Sequence, residues 1–328
     1  MQSLRPNSKL LLSSPSLLRY IYSQHPKPKP FPPQEPSSAY YDSLVREAAG
    51  NRDFAAIRHL LNKRVRDGFF NTANTFNFLA TDPSIIPHLC LTLAQLDKGF
   101  ARKSAYDSLI ASLCKLHRTE LALDVVDGMV RDGHGANACT FHPILNALSR
   151  KKRMDEAWRV LDLMKENRIP PDRTAYNYLL TAYCCAGDLS SAAGLLTRMA
   201  EEEGLEADAR TYDALVLGAC KAGKVEGAIV VLRRMEDDGV PPLYSTHAHV
   251  VGGLLKMGFY SQAVEFVMSY AGRDRGLDTE NFGLLSSRLI DLKRFDEARL
   301  VLKEMEKMGL RIRSAKLKEF VPGLNVKD

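Results

Sequence analysis

Aromatic residues recur along the chain at an almost constant interval, and each is followed three residues later by Leu, Ile or Val. Successive recurrences lie 35, 30, 35, 35, 36, 35 and 35 residues apart, with a histidine in one of the slots. A fixed period of this length indicates a repeat protein. The recurring residues are Tyr41, Phe76, Tyr106, Phe141, Tyr176, Tyr212, His247 and Phe282.

The pattern within each copy predicts two helices. In the sixth copy apolar residues follow Tyr212 at offsets of 3, 4, 7 and 8, which form one helical stripe, and a second stripe follows near the end of the copy. One hairpin cannot bury its own apolar face, so we expect an all-α, right-handed superhelical solenoid of helix-turn-helix repeats. With the aromatic residue at position 4, the copies are 38–72, 73–102, 103–137, 138–172, 173–208, 209–243, 244–278 and 279–313.

Two irregularities stand out in this frame. Copy 73–102 is five residues short, and Pro83 and Pro87 interrupt its first helix, so we predict a degenerate repeat and a kink there. Copy 173–208 carries one extra residue. Elsewhere, glycines such as Gly187, Gly223 and Gly258 fall between the two helices, where a left-handed residue ends a helix.

Charge is concentrated at the N-terminus. The 328 residues carry a net charge of +6, but residues 1–37 hold five basic side chains and one acid, which leaves only +2 for the rest. A purely electrostatic nucleic-acid binder is therefore disfavoured. Arginines spaced among leucines and serines predict an organelle transit peptide over 1–25, the alternatives being a secretory signal or an untargeted tail.

A proline-rich segment follows the leader. Residues 26–37 form a linker that favours extended geometry, because six of the 16 prolines of the chain lie within it. We assign 38–313 to the repeat array and 314–328 to a C-terminal tail. Arg19 before Tyr20 favours import into the mitochondrion, with the chloroplast as the alternative. The sequence has no apolar run long enough to span a membrane, so we expect no membrane insertion.

The segments 211–228 and 234–242 resemble the pentatricopeptide repeat family of plant organelles, in its P-class form. They read Thr-Tyr-Asp-Ala-Leu-Val with a following Cys-Lys-Ala-Gly-Lys-Val-Glu, and Arg-Met-Glu-Asp-Asp-Gly-Val-Pro-Pro. The resemblance covers 38–313. It implies single-stranded RNA bound along the concave groove, one nucleotide per repeat, with base contacts from positions 5 and 35.

Transferred residue by residue, the resemblance gives five candidate pairs for base contact. Only Asn177 with Asp208 matches a well-established combination, one that favours uridine in the family. At position 2, where the family often has valine, this chain has other residues, such as Arg210 and Glu280. The pairs are Asp107 with Asn137, His142 with Asp172, Asn177 with Asp208, Asp213 with Leu243, and Ala248 with Asp278.

Position 13 faces the groove in the same frame and is basic in four copies, at Lys115, Arg150, Lys221 and Lys256. Cations at one-repeat spacing suit a phosphate backbone. The alternative is ordinary solvated cations, which also suit helix C-termini.

Catalytic and metal-binding motifs are not found. Cys114, Cys184 and Cys220 all fall at position 12, in the buried stripe of the first helix, and there is no C-x-x-C pair. His247 takes the aromatic slot, so we expect it to pack in the core. We therefore predict no enzyme, no cofactor and no metal.

Two functions remain. The first is a noncatalytic RNA-binding protein that stabilises, processes or promotes translation of an organellar transcript. The second is a structural scaffold or ribosome-associated subunit, in contact with mitochondrial ribosome proteins and ribosomal RNA. The nearly neutral charge of the array, its short length and its mostly unmatched pairs favour the second; the repeat and the transit-like leader favour the first.

Overall fold

The computed structural model describes residues 36–320, which form sixteen α-helices arranged as successive hairpins. The predicted transit peptide 1–25, nearly all of the linker 26–37 and residues 321–328 lie outside the described residues. The helices are α1 (Ser38–Gly50), α2 (Phe54–Arg66), α3 (Ile86–Ala94), α4 (Phe100–Lys115), α5 (Thr119–Arg131), α6 (Ala138–Arg150), α7 (Met154–Glu166), α8 (Arg173–Ala186), α9 (Leu189–Thr197), α10 (Ala209–Lys221), α11 (Val225–Asp237), α12 (Tyr244–Lys256), α13 (Tyr260–Tyr270), α14 (Arg275–Asp291), α15 (Phe295–Lys307) and α16 (Ala315–Phe320).

From copy 103–137 to copy 244–278, each first helix packs against its own second helix and against the first helix of the next copy. This pairing confirms the all-α solenoid. The predicted apolar stripes are the buried faces, and the aromatic slot is closed to solvent throughout, from Tyr41 to Phe282. The core forms two adjoining clusters that meet on α10, where Ala214 belongs to one and Tyr212 to the other.

First helices of neighbouring copies approach closely through small residues. A Cβ added to Gly218 in α10 would lie 2.9 Å from the Cβ and Sγ atoms of Cys184 in α8. Cys184 and Cys220 are buried, as is Cys114, which confirms that these cysteines are core residues. Glycine at position 10 therefore leaves room for the position-12 thiol of the preceding copy.

The turn between the two helices of a hairpin uses one left-handed residue at position 15. Glycine supplies it at Gly187, Gly223 and Gly258, as predicted. Four other copies put a residue with a side chain there, at a φ between 53° and 61°. These residues are Arg52, His117, Lys152 and Lys293.

Copy 73–102 departs from the pattern as the prolines predict. In place of a first helix it has two short 3₁₀ turns, Asn77–Ala80 and Pro83–Ile85, and α3 then serves as its second helix. At the other end of the chain, α16 lies within the predicted tail and packs on α14, with Leu317 buried.

Candidate nucleic-acid interface

Position 5 of one copy and the residue just before the next first helix come together at one edge of the array. Nε2 of His142 lies 2.9 Å from Oδ1 of Asp172, and Nδ2 of Asn177 donates to Oδ1 of Asp208 at 3.0 Å. Both aspartates also accept from backbone N–H groups of the helix that they precede. Each carboxylate therefore fixes a helix start and a position-5 side chain at once.

The Asn177 and Asp208 pair is the most fully bonded of the five. Thr211 Oγ1 donates to Oδ1 of Asn177 at 2.9 Å, and Thr211 N donates to Oδ1 of Asp208 at 2.9 Å. Burial alone would raise the pKa of Asp208, but hydrogen bonds from Thr211 and Asn177 hold it below its usual value. Asp208 is therefore an ionised acceptor at neutral pH.

The extra residue of copy 173–208 does not displace Asp208. The second helix of that copy ends in a π-helical turn, Arg198–Glu202, directly after α9. A π turn holds one residue more than an α turn, so the insertion is absorbed before α10 begins. Asp208 keeps the N-cap position of α10.

Asp107 and Asp213 contact the next copy in a different way. Thr140 Oγ1 donates to Oδ1 of Asp107 at 2.8 Å, and Thr246 Oγ1 makes the same bond to Asp213. Their assigned partners at position 35 both precede the next first helix: Asn137 is the N-cap of α6 and Leu243 that of α12. The threonine at position 3 thus links position 5 to the following helix in these copies.

The pair of Ala248 with Asp278 differs from the other four. Helix α14 begins at Arg275, four residues earlier than the frame predicts, and Asp274 is its N-cap. Asp278 consequently lies inside the first turn of the helix. Its side chain is buried and accepts the backbone N–H of Gly272 at 3.0 Å. Asp278 is not at the edge position that the other four pairs share.

The four candidate phosphate contacts share one geometry. Lys115, Arg150, Lys221 and Lys256 are each the last residue of a first helix, and all four are exposed. Lys115 and Arg150 line the same hollow of about 490 Å³ between α4 and α6. The remaining residues of this hollow are Ala111, Cys114, His117, Pro143, Asn146, Ala147 and Lys151, with no carboxylate among them.

The repeats match models of a known repeat family. Profiles described as "PPR repeat family" and "PPR repeat" match residues 136–185, 203–236, 104–134, 174–203 and 284–310. Two mitochondrial pentatricopeptide repeat-containing proteins of Arabidopsis thaliana are 49% and 48% identical to this chain, over 96% and 89% of it and over 90% and 84% of their own lengths. The chain belongs to the pentatricopeptide repeat family.

A solved structure has the same fold. The pentatricopeptide repeat protein PPR10 from maize matches 94% of this chain with a TM-score of 0.54 and 20% identity. Its complex with an 18-nt psaJ RNA element matches 93% of the chain with a TM-score of 0.50 and 18% identity. The chain spans 46% and 44% of the PPR10 chain in the two structures.

The first pair of this pentatricopeptide repeat array was missed by the sequence argument. Asp42 and Thr72 hold positions 5 and 35 of copy 38–72, and Thr72 Oγ1 donates to Oδ2 of Asp42 at 2.5 Å. Both carboxylate oxygens of Asp42 are occupied, because Thr75 and the buried Arg64 donate to Oδ1. The sequence does carry a sign of this pair: Arg64 occupies position 27, which is methionine in most copies, and a basic residue at a core position requires an acidic partner.

Within residues 36–320, no group of three His, Cys, Asp or Glu side chains could hold a metal ion, and no helix is long and apolar enough to cross a membrane. Burial raises the pKa of the Cys114 and Cys184 thiols to about 12. His247 is buried in its aromatic slot, as predicted, and its ring contacts the rings of Phe266 and Tyr270.

Proposed function

We propose that this pentatricopeptide repeat protein binds single-stranded RNA in the mitochondrion of a plant, without catalysing a reaction, and acts in stabilisation, processing or translation of a transcript. The observation that carries the proposal is the Asn177, Asp208 and Thr211 arrangement at the edge of the groove. The ionised carboxylate of Asp208 and the amide of Asn177, which is itself only 6% exposed, are fixed by neighbouring bonds and can meet the hydrogen-bonding edge of an unpaired base.

The comparisons support the ligand and the compartment. The maize relative in fold is a protein solved with RNA, and both Arabidopsis relatives are named as mitochondrial. The domain organisation belongs to this proposal: a transit peptide over 1–25, a linker over 26–37, the RNA-binding array over 38–313 and a tail over 314–328.

Phosphate contact is assigned to the ends of the first helices. Lys115 and Arg150 share a hollow without a carboxylate, so their charges add where a backbone would pass. Lys221 and Lys256 repeat this placement further along the array. Base contacts are assigned to the position-5 and position-35 residues, with Asn177 and Asp208 foremost. Asp278 is left out because it lies inside the first turn of α14 and does not precede the helix as the other position-35 residues do.

A filter-binding titration of the protein with single-stranded RNA at two salt concentrations tests the proposal. Because the contacts include phosphates, the affinity should fall as salt rises. Double-stranded RNA of the same sequence is the control, and it should bind much more weakly because its base edges are paired. Equal affinity for both forms, or no salt-sensitive binding, would reject the proposal.

The ribosome-associated scaffold is the second candidate function, and the nearly neutral charge after residue 37 favours it. Sedimentation of mitochondrial extracts separates the two. A scaffold of this kind should travel with the ribosomal particles, whereas a transcript-specific protein should remain near the top of the gradient.

A further inference from the structure

The degenerate copy changes the groove where copies 38–72 and 103–137 meet. Copy 73–102 has no first α-helix, and α4 begins at Phe100, three residues before position 1 of its copy. By contrast, α6, α8, α10 and α12 all begin at position 1. Gly99 precedes this early start with a φ of 88°, a conformation that glycine adopts readily. The early start adds nearly one turn to α4.

Phe100 and Phe70 form an exposed aromatic pair at this junction. Their ring centroids lie 5.7 Å apart at an interplanar angle of 83°, and the two residues are 56% and 60% exposed. The residue three places before position 1 is not aromatic in any of the later copies. Those residues are Gly135, Pro170, Glu206, Pro241 and Gly276.

The ring of Phe100 forms one wall of a hollow of about 300 Å³ on α4. The other lining residues are mostly polar, namely Lys103, Ser104, Asp107, Ser108 and Ala111. Lys103 Nζ donates to Oδ2 of Asp107 at 2.5 Å, which fixes both charged groups. Ala111 also lines the larger hollow that contains Lys115 and Arg150, so the two hollows adjoin at this residue.

We propose that Phe100, supported edge-on by Phe70, is a stacking platform for one unpaired nucleobase of the RNA. This inference rests on the proposed function and adds a contact outside positions 5 and 35. Unpaired bases stack on aromatic side chains in single-strand binders and leave their edges to polar groups, here Ser104, Asp107 and Ser108. The phosphate side then lies toward Lys115, at the other end of α4.

The size and polarity of the surface favour a base over a protein partner. A specific protein interface buries about 800 Å² on each side around an apolar centre. Two phenylalanine rings beside a polar hollow offer one flat apolar surface with hydrogen-bonding groups next to it. That combination matches the face and edge of a single base.

Fluorescence anisotropy with a labelled, random-sequence single-stranded RNA pool tests the platform. Phe100→Ala should weaken binding about tenfold, the scale of one lost stacking contact. Phe70→Ala should weaken it less, because Phe70 only supports the platform. Phe100→Trp should retain wild-type affinity, and the salt dependence should be unchanged in all three variants because no charge is altered.

Phe259→Ala is the matched control, since Phe259 is also an exposed phenylalanine, at 43%, but belongs to a different hairpin. Wild-type affinity in Phe100→Ala, or an equal loss in Phe259→Ala, would overturn the inference while the proposed function stands. A change in the sedimentation of the protein alone, with RNA affinity intact, would overturn it in favour of a protein contact. Failure of the wild-type protein to bind would reject the proposed function and the platform with it.

Discussion

Nη1 of Arg64 lies 2.9 Å from Oδ1 of Asp42 in the interior of the first hairpin, and neither side chain is more than 7% exposed. Arg64 also donates to Thr75 Oγ1 and to the carbonyl oxygen of Ser38. The ion pair therefore joins both helices of copy 38–72 to the start of the degenerate copy. In five later copies position 27 is methionine, at Met129, Met164, Met199, Met235 and Met305.

Replacing Arg64 with methionine should destabilise the protein although methionine is the common residue at this position. The change leaves the Asp42 carboxylate buried without its counter-charge, which costs about 3–5 kcal/mol. The double variant Asp42→Asn, Arg64→Met should recover most of this loss, because an amide at position 5 can pair with the following threonine as Asn177 does. Urea unfolding of the three proteins measures the difference, and equal losses in the single and double variants would contradict it.

Asn177→Ala and Lys221→Ala should weaken RNA binding in different ways. Loss of a base contact costs about 1 kcal/mol and relaxes the preference at one nucleotide. Loss of a phosphate contact weakens all sequences alike and reduces the salt slope by about 1. Binding of homopolymer-substituted RNAs at several salt concentrations separates the two effects. If both variants behave alike, the assignment of base and phosphate contacts is wrong.

The repeating apolar pattern was sufficient to predict most of the fold. Position 4 and the apolar stripes that follow it are buried because they form the face of the hairpin that packs against neighbouring helices. The period alone therefore predicted the helices and the burial of His247. Prolines predicted the interruption of the first helix in copy 73–102, since the missing N–H and the fixed φ are local effects, and two 3₁₀ turns take the place of that helix.

Local patterns were insufficient where a helix changes length. The frame, which was set by the aromatic period alone, placed the start of α14 at residue 279, but Asp274 caps the helix and it begins four residues earlier, at Arg275. The π turn after α9 likewise has no sequence signal apart from the extra residue. Side-chain pairing across copies, such as Thr140 with Asp107, requires the register between hairpins and is not visible in one copy.

Two glycines on first helices should respond in opposite ways to alanine. Gly218→Ala places a methyl group 2.9 Å from the Cβ and Sγ atoms of Cys184, so the packed helices must separate, at a cost of about 1–3 kcal/mol. Gly252→Ala meets no atom within 4 Å and should stabilise the protein by about 0.5–1 kcal/mol through helix propensity. Thermal unfolding of both variants checks this, and a stabilised Gly218→Ala would disprove the close approach.

Acid should destabilise the protein through His247. Burial, followed by the charge of Arg273, lowers the pKa of His247 to about 4, from 6.5 in an exposed histidine. As the pH falls, the unfolded state takes up a proton on His247 at a higher pH than the folded state does. The contribution of neutral His247 to stability is therefore fully present above pH 6.5 and is lost as the pH falls from 6.5 toward 4. The loss should reach about 1 kcal/mol near pH 5.5.

Urea unfolding at neutral pH and near pH 5.5 measures this loss, and His247→Phe is the comparison. Phenylalanine fits the slot, as Phe282 shows in the next copy, and cannot take up a proton. The variant should therefore lose less stability between the two pH values than the wild type. An unchanged pH dependence would assign the acid sensitivity to other groups.

Because of the π turn at Arg198–Glu202, the extra residue of copy 173–208 does not change the position of Asp208 at the start of the next first helix. The extra residue widens one turn of a second helix, and the next first helix still begins one residue after an aspartate that bonds to the preceding copy. The insertion thus leaves the bond between Asn177 and Asp208, and the N-cap position of Asp208, as in a copy of regular length. A second helix of this array can therefore gain a residue without shifting the start of the next first helix, where the proposed base-contact residues lie.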